Sequence, residues 1–316
     1  MKLKHFLVFF LVSATAEAFE ISSGGVVLSK PSHEILIINR GSHSLEETGE
    51  SLDPVVSDEH TLTYGIHDPI LFGMFVNFGP FTVHLATAIE SGRNATKTHE
   101  TRGGYASKNF GAIFGAAHQS NFKIIKGTVA DELQSHEKRN QGMAYQGYTA
   151  QFYGVLLDLG LDLSKTLELA DYPKSYGSGL MGIITLDHVN IDASGPVIPE
   201  NQRRYFRRDS GFSKGEFSSL NISLGWAHTH TFDEIYLSGL IAFGAGKSQL
   251  KYKNDAKTVK KSKNTFREHF VIGGGYTTDL YFIGGEYNIE APEYQLQTIT
   301  LQTVRHEIKV ASGMKW

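Results

Sequence analysis

Apolar and polar positions alternate with a period of two along most of the chain. Ile70, Phe72, Met74, Val76 and Phe78 alternate with Leu71, Gly73, Phe75 and Asn77. Phe81, Val83 and Leu85 alternate with Thr82, His84 and Ala86. Leu220, Ile222, Leu224 and Trp226 alternate with Asn221, Ser223, Gly225 and Ala227, and a similar run follows from Ile235 to Phe243. Successive strand side chains point to opposite faces, so each run predicts a strand with one apolar face and one small or polar face. A membrane barrel and a soluble β-sandwich both satisfy that pattern.

The spacing of the runs separates the two. Twelve strands are expected, near 34–45, 60–78, 81–91, 104–118, 121–130, 174–187, 189–195, 214–229, 234–251, 264–276, 279–290 and 294–316. Short joins fall at Gly79-Pro80, around Gln119-Ser120, at Asp187-His188, at His230–Asp233 and at Thr277-Thr278. Longer, polar joins fall at 46–59, 92–103, 131–173, 196–213, 252–263 and, more modestly, 291–293. Short turns on one side and long loops on the other are the mark of an outer-membrane barrel. The expected fold class is therefore all-β: an antiparallel transmembrane β-barrel of about twelve strands with short periplasmic turns and long extracellular loops. Segment 131–173 reads as a long extracellular loop with a short helix or hairpin above the membrane, as an additional strand pair that would make the count fourteen, or as a fold-back into the lumen.

Both termini sharpen this reading. Lys2, Lys4 and His5 precede an apolar run from Phe6 to Val12, and Ala16 and Ala18 supply an A-x-A cleavage pattern. Residues 1–18 are expected to be a secretory signal peptide and 19–316 the barrel. The last residue is Trp316, and Met314, Val310 and Ile308 share its face while Lys315, Lys309, Glu307 and Arg305 take the other. One face would meet lipid and the other a polar lumen, and a terminal aromatic marks substrates of the barrel-assembly machinery. The 33 glycines, 14 tyrosines and 20 phenylalanines suit curved strands with aromatic girdles. There is no cysteine, which excludes disulfides and thiolate metal sites. The net charge of -3 argues against a nucleic-acid surface. The basic stretches 199–210 and 252–263 read as loops that meet anionic lipopolysaccharide. The expected partners are outer-membrane lipid, lipopolysaccharide and, during biogenesis, the assembly machinery.

Some loose glycine–aromatic motifs carry a resemblance. They are Leu62-Thr63-Tyr64-Gly65-Ile66 with Ile70-Leu71-Phe72-Gly73, Phe122-Lys123-Ile124-Ile125-Lys126-Gly127, Tyr172-Pro173-Lys174-Ser175-Tyr176-Gly177, and Gly273-Gly274-Gly275-Tyr276 running into Tyr281-Phe282-Ile283-Gly284-Gly285. In these the chain resembles a bacterial family known only as a domain of unknown function, whose members are predicted to form outer-membrane barrels. The resemblance implies the fold and no catalytic residues.

One motif suggests chemistry. His118-Gln119-Ser120-Asn121 resembles the His-x-Ser-Asn run of outer-membrane phospholipases and lipid A deacylases. Residues two apart share a strand face, so His118 would take the Ser120 proton and a third group would orient it. Against this, the motif falls at an expected periplasmic turn, and the nearest acid is Glu132. The pair His228 and His230 reads as solvated turn residues rather than metal ligands. His84, His269 and His306 are lumen candidates beside Glu286, Glu307, Arg305 and Lys309. The main expectation is a barrel of structural, surface-interaction or narrow-pore duty, without catalysis, cofactor or metal. A lipid hydrolase using His118 and Ser120 and a soluble periplasmic binding sandwich are the alternatives.

Overall fold

The computed structural model describes residues 21–40, 59–66, 70–89, 97–127, 142–163, 176–255 and 257–315. The expected signal peptide and Trp316 lie outside the described residues. Fourteen strands are present: β1 Ile21–Arg40, β2 Glu59–Gly65, β3 Leu71–Phe78, β4 Phe81–Ala88, β5 Thr98–Ala106, β6 Phe110–Ser120, β7 Lys123–Gly127, β8 Ala144–Leu159, β9 Gly177–Asp192, β10 Phe212–Phe232, β11 Ile235–Asn254, β12 Lys257–Thr277, β13 Tyr281–Gln295 and β14 Ile299–Lys315. Twelve of them form a closed antiparallel barrel, and β14 returns to β1 in a continuous register from Ser23↔Lys315 to Asn39↔Ile299. β2 and β7 stand outside that ring. β2 pairs with the later half of β1, and β7 pairs with β2.

The barrel and its strand number match the sequence reading, but several boundaries differ. The short join expected around Gln119-Ser120 falls at 121–122, between β6 and β7, and there is none at 187–188, where the expected strands 174–187 and 189–195 are one strand, β9. The expected strand 104–118 is two, β5 and β6, joined at 107–109. Segment 131–173 contains a full barrel strand, β8. The basic stretch 252–263 is no long loop, because β11 and β12 continue through it and pair as far as Asn254↔Lys257. At 291–293 β13 simply continues. At 252–263 and 291–293 the polar residues suggest loop, whereas the strands run on past the apolar zone into water.

That continuation is visible as an inversion of polarity along single strands. On β10, Leu220, Ile222, Leu224 and Trp226 face outward and are exposed, while Ser219, Asn221 and Ser223 face inward and are buried. One step nearer the start of β10 the assignment swaps. Phe212 and Phe217 are buried, and Lys214 and Glu216 are exposed. β9 swaps at the same level, from exposed Ile184 and Leu186 with buried Thr185 and Asp187 to buried Val189 and Ile191 with exposed Asp192. β11 swaps too, with Ile241 and Phe243 exposed but Leu250 and Tyr252 buried. An apolar exterior around a polar interior suits hydrocarbon, and the reverse suits water. The inversion therefore divides the barrel into an apolar-walled half, nearer both termini, and a water-facing half beyond it. From Leu220 to Phe232 the chain advances about 40 Å at ~3.3 Å per residue, or about 30 Å along the axis at a tilt near 40°, close to a hydrocarbon thickness.

Aromatic residues gather where the apolar wall meets the terminal end. Phe81, Tyr105 and Phe110 are in ring contact there, as are Tyr276 and Tyr281. Four of the five connections at the terminal end between barrel strands are tight, and the fifth, 160–176, is longer.

Candidate functional site

The lumen is filled in layers. At the far end, inward side chains that would line an open mouth form an apolar core: Ile35 and Ile37 of β1, Leu62 and Tyr64 of β2, Phe122 and Ile124 beside and on β7, Phe217 of β10 and Tyr294 of β13. The 193–211 connection adds Val197, Ile198 and Phe206 to it. Asp209 clamps this cap. Its carboxylate, fully buried, accepts from Tyr252 Oη at 3.0 Å, from Thr298 N–H at 2.6 Å, from Thr298 Oγ1 at 3.0 Å and from Ile299 N–H at 3.3 Å. Burial and the neighbouring carboxylate push the Tyr252 phenol well above its ordinary pKa, so it remains a donor.

Below the cap lies a charged layer. Arg267 on β12 donates to Asp187 on β9 at 2.6 Å and to Glu290 on β13 at 3.1 Å. Thr149 and Ser219 also donate to Asp187, at 2.9 and 3.2 Å. Gln151 on β8 reaches across the bore to Glu290 at 3.3 Å. A second group links β5 to β14: Arg305 to Glu100 at 2.5 Å, Arg102 to Glu307 at 2.7 Å, and Lys309 to both Glu307 at 3.2 Å and Glu286 at 3.3 Å. Single strands supply these charges two residues apart, because period two puts such neighbours on one face. A cavity of about 200 Å³ runs among them, lined by His33, Glu100, Arg102, Arg267 and Glu290 and bounded by Val27 and Phe75 on the terminal side and by Val189 and Tyr294 on the far side.

The terminal end carries a third layer. Val27, Phe75, Tyr236, Phe282 and Ala311 pack together inside the wall. Leu161 and Leu163, just after β8, fold back against Tyr153, Met181, Ile183, Ala227 and Leu240. The Leu163 N–H donates to the Lys108 carbonyl at 3.0 Å, which fixes that fold-back. The expectation of a polar lumen holds for the charged middle layer, whereas apolar side chains pack at both ends, with buried Ser23 and Asn77 bonded to each other at 2.7 Å on the terminal side.

The sequence-derived candidates distribute as follows. His84, His269, Glu286, Glu307, Arg305 and Lys309 face the lumen, as read. His306 does not, because it shares the outer face with Ile308, where it meets Tyr287 Oη at 2.9 Å. Glu100, Arg102, Asp187, Arg267 and Glu290 were missed, although their spacing to buried neighbours on the same strand was the available signal. His118 and Ser120 share the outer face of β6, but at the far end rather than at a turn on the terminal side. A positive φ of 66° at Asn121 then turns the chain into β7. Among the described residues, no hydrogen bond joins His118 to Ser120. His228 and His230 stand near the β10–β11 turn with Tyr176, and His228 Nδ1 lies 2.9 Å from Ser178 Oγ. Among the described residues no cluster of three metal-ligating side chains occurs.

No protein-family model and no curated protein matches the chain. Solved structures do align. The outer membrane protease OmpT from Escherichia coli is 10% identical with a TM-score of 0.41, over 96% of this chain and 100% of that one. The translocator domain of the autotransporter NalP from Neisseria meningitidis is 9% identical with a TM-score of 0.40, over 99% and 96%. The toluene transporter TodX of P. putida is 10% identical with a TM-score of 0.31, over 95% and 91%.

Proposed function

We propose that the chain is an outer-membrane barrel with a blocked lumen, which acts through its outer surface and projecting half and not as a diffusion pore. The observation that carries this is the stacking of three packed layers in the bore, with the middle one bonded from wall to wall by Arg267, Arg102 and Arg305. Location in a membrane is supported by the apolar wall. Soluble proteins rarely expose apolar patches beyond a few hundred Å², whereas here exposed Val, Leu, Ile, Phe and Met side chains recur on most barrel strands. With both termini on the periplasmic side, the far half stands outside the cell. Its exposed Lys247, Lys251, Lys253 and Lys260 support contact with anionic lipopolysaccharide.

The test is conductance of the refolded chain in planar bilayers. The expected result is no steady channel above the bare membrane. A stable open conductance would overturn the blocked lumen. Recovery of the protein in a soluble periplasmic fraction, with no difference in gel mobility between unboiled and boiled samples, would overturn the membrane reading itself.

A further inference from the structure

The polarity inversion fixes a level on the outer wall where hydrocarbon meets water, and a hydrogen-bonded trio sits at that level. Ser218 on β10 is the outward residue next to Leu220, and His188 on β9 is the outward residue next to Leu186. Ser218 and His188 are Cα partners in register, and His188 Nδ1 lies 2.9 Å from Ser218 Oγ. Asn190, two residues along the same face, places its side-chain amide 3.2 Å from His188 Nε2. The Tyr148 ring flanks the imidazole from β8, with centroids 6.2 Å apart. Thus both imidazole nitrogens are engaged, one by a hydroxyl and the other by an amide.

We infer that Ser218, His188 and Asn190 form a catalytic triad that hydrolyses acyl esters of lipids in the outer leaflet. An ester hydrolase needs a hydroxyl nucleophile, a base bonded to it and a third group that fixes the tautomer of the base. The amide nitrogen and oxygen of Asn190 are interchangeable by a half-turn. With Oδ1 facing Nε2, the imidazole carries its proton on Nε2, and Nδ1 is the free base for Ser218. Ser218 Oγ then attacks the ester carbonyl carbon while its proton passes to His188 Nδ1. The tetrahedral intermediate collapses, the lysolipid alkoxide leaves with that proton, and the acyl group stays on Ser218. Water gives its proton to His188 as it attacks the acyl-enzyme, and the free fatty acid and Ser218 hydroxyl are regenerated. Gln249, the register partner of Ser218 on β11, is exposed on the same outer face, and its amide would be the donor to the developing oxyanion.

The surroundings fit a lipid with an anionic headgroup. Below the trio, exposed Ile184, Leu186, Leu220 and Ile222 offer an apolar wall for acyl chains. Above it the outer wall hollows into a dish of about 520 Å³, in which Lys214 pairs with Asp192 at 2.7 Å, Lys251 pairs with Glu216 at 3.2 Å, and exposed Lys253 adds the net positive charge that would meet a phosphate. The ester of a lipid lies between chains and headgroup, which is the level of Ser218. The second Ser–His contact on the wall, Ser178 with His228, has no amide at the other imidazole nitrogen among the described residues and no such dish.

This inference rests on the membrane reading, and the experiment separates the two. The full chain is refolded into vesicles of phosphatidylethanolamine and phosphatidylglycerol, and into vesicles that also hold lipopolysaccharide. Fatty-acid release is followed by mass spectrometry, and a fluorophosphonate probe tags the nucleophile. Insertion is scored independently by the gel shift between unboiled and boiled samples. The expected result is release from at least one vesicle type, with the probe on Ser218. Release should fall at least about a hundredfold in Ser218→Ala and His188→Ala, and should be unchanged in Ser178→Ala and Ser120→Ala. Inserted protein with neither release nor labelling, or activity that survives Ser218→Ala, overturns the triad while leaving the barrel intact. Failure to insert overturns both.

Discussion

Replacement of Arg267 by methionine tests the charged layer directly. The Arg267 side chain is 2% exposed and makes two charge-assisted bonds, to Asp187 (4% exposed) and Glu290 (20% exposed). Met preserves much of the stem volume and removes the charge. Asp187 then keeps only Thr149 and Ser219, and Glu290 keeps Gln151 and the nearby His269. Stranding one partner of a buried pair costs about 3–5 kcal/mol, or roughly two to three and a half powers of ten in the unfolding equilibrium. The assay is urea unfolding in phospholipid vesicles, followed by the fluorescence of Trp226, which faces outward from the apolar wall. A double variant, Arg267→Met with Asp187→Asn, removes one stranded carboxylate and should recover about half of the loss, a coupling well above the scatter of independent sites. A loss under about 1 kcal/mol for Arg267→Met, or no coupling in the double variant, would refute the claim that this layer holds the wall together.

Other outcomes follow from the same geometry. Asp209→Ala removes four accepted hydrogen bonds from the far cap and should loosen it by about 2–4 kcal/mol, read as faster proteolysis at the 193–211 connection in intact vesicles. A Cβ at Gly246 would meet the Leu220 carbonyl oxygen and come within 2.8 Å of Asn221 Cα, so Gly246→Ala should reduce the folded yield. Gly154→Ala, with open space around its Cβ, should match wild type. An epitope inserted after Asp255 should be reached by antibody on intact cells, and one at Thr278–Leu280 only after the outer membrane is opened. The opposite labelling would invert the topology.

The period-two pattern and the terminal strand make the fold legible in the sequence, because strand alternation is local and repeats on every element. The site was less legible. Ser218 and His188 are 30 residues apart and meet only through the β9–β10 register. The expected break at Asp187-His188 hid that register, since it divided β9 at the very residue concerned. His118 and Ser120 stand out because they are two apart in sequence, yet among the described residues they share a face with no hydrogen bond between them. The inversion of polarity was present in the run Phe217-Ser218-Ser219-Leu220, where the apolar phase slips from odd to even positions. A strand that changes solvent mid-length looks, in sequence, like a strand that ends.

The contacts across the bore also bear on the order in which the molecule is made. Glu100 and Arg305, like Arg102 and Glu307, are separated by 205 residues, and Gln151 and Glu290 by 139. The two β5–β14 pairs cannot form while the sheet is still an open ribbon, because its edges β1 and β14 must first join, whereas Gln151 and Glu290 stand on strands already linked through β9–β12. The β5–β14 group of charges is thus a latch that engages after closure and contributes nothing to the steps before it. Interactions absent from the transition state slow unfolding without speeding assembly. Cells would meet this barrel as a slow-opening object: ordinary in how fast it inserts, and long-lived once shut.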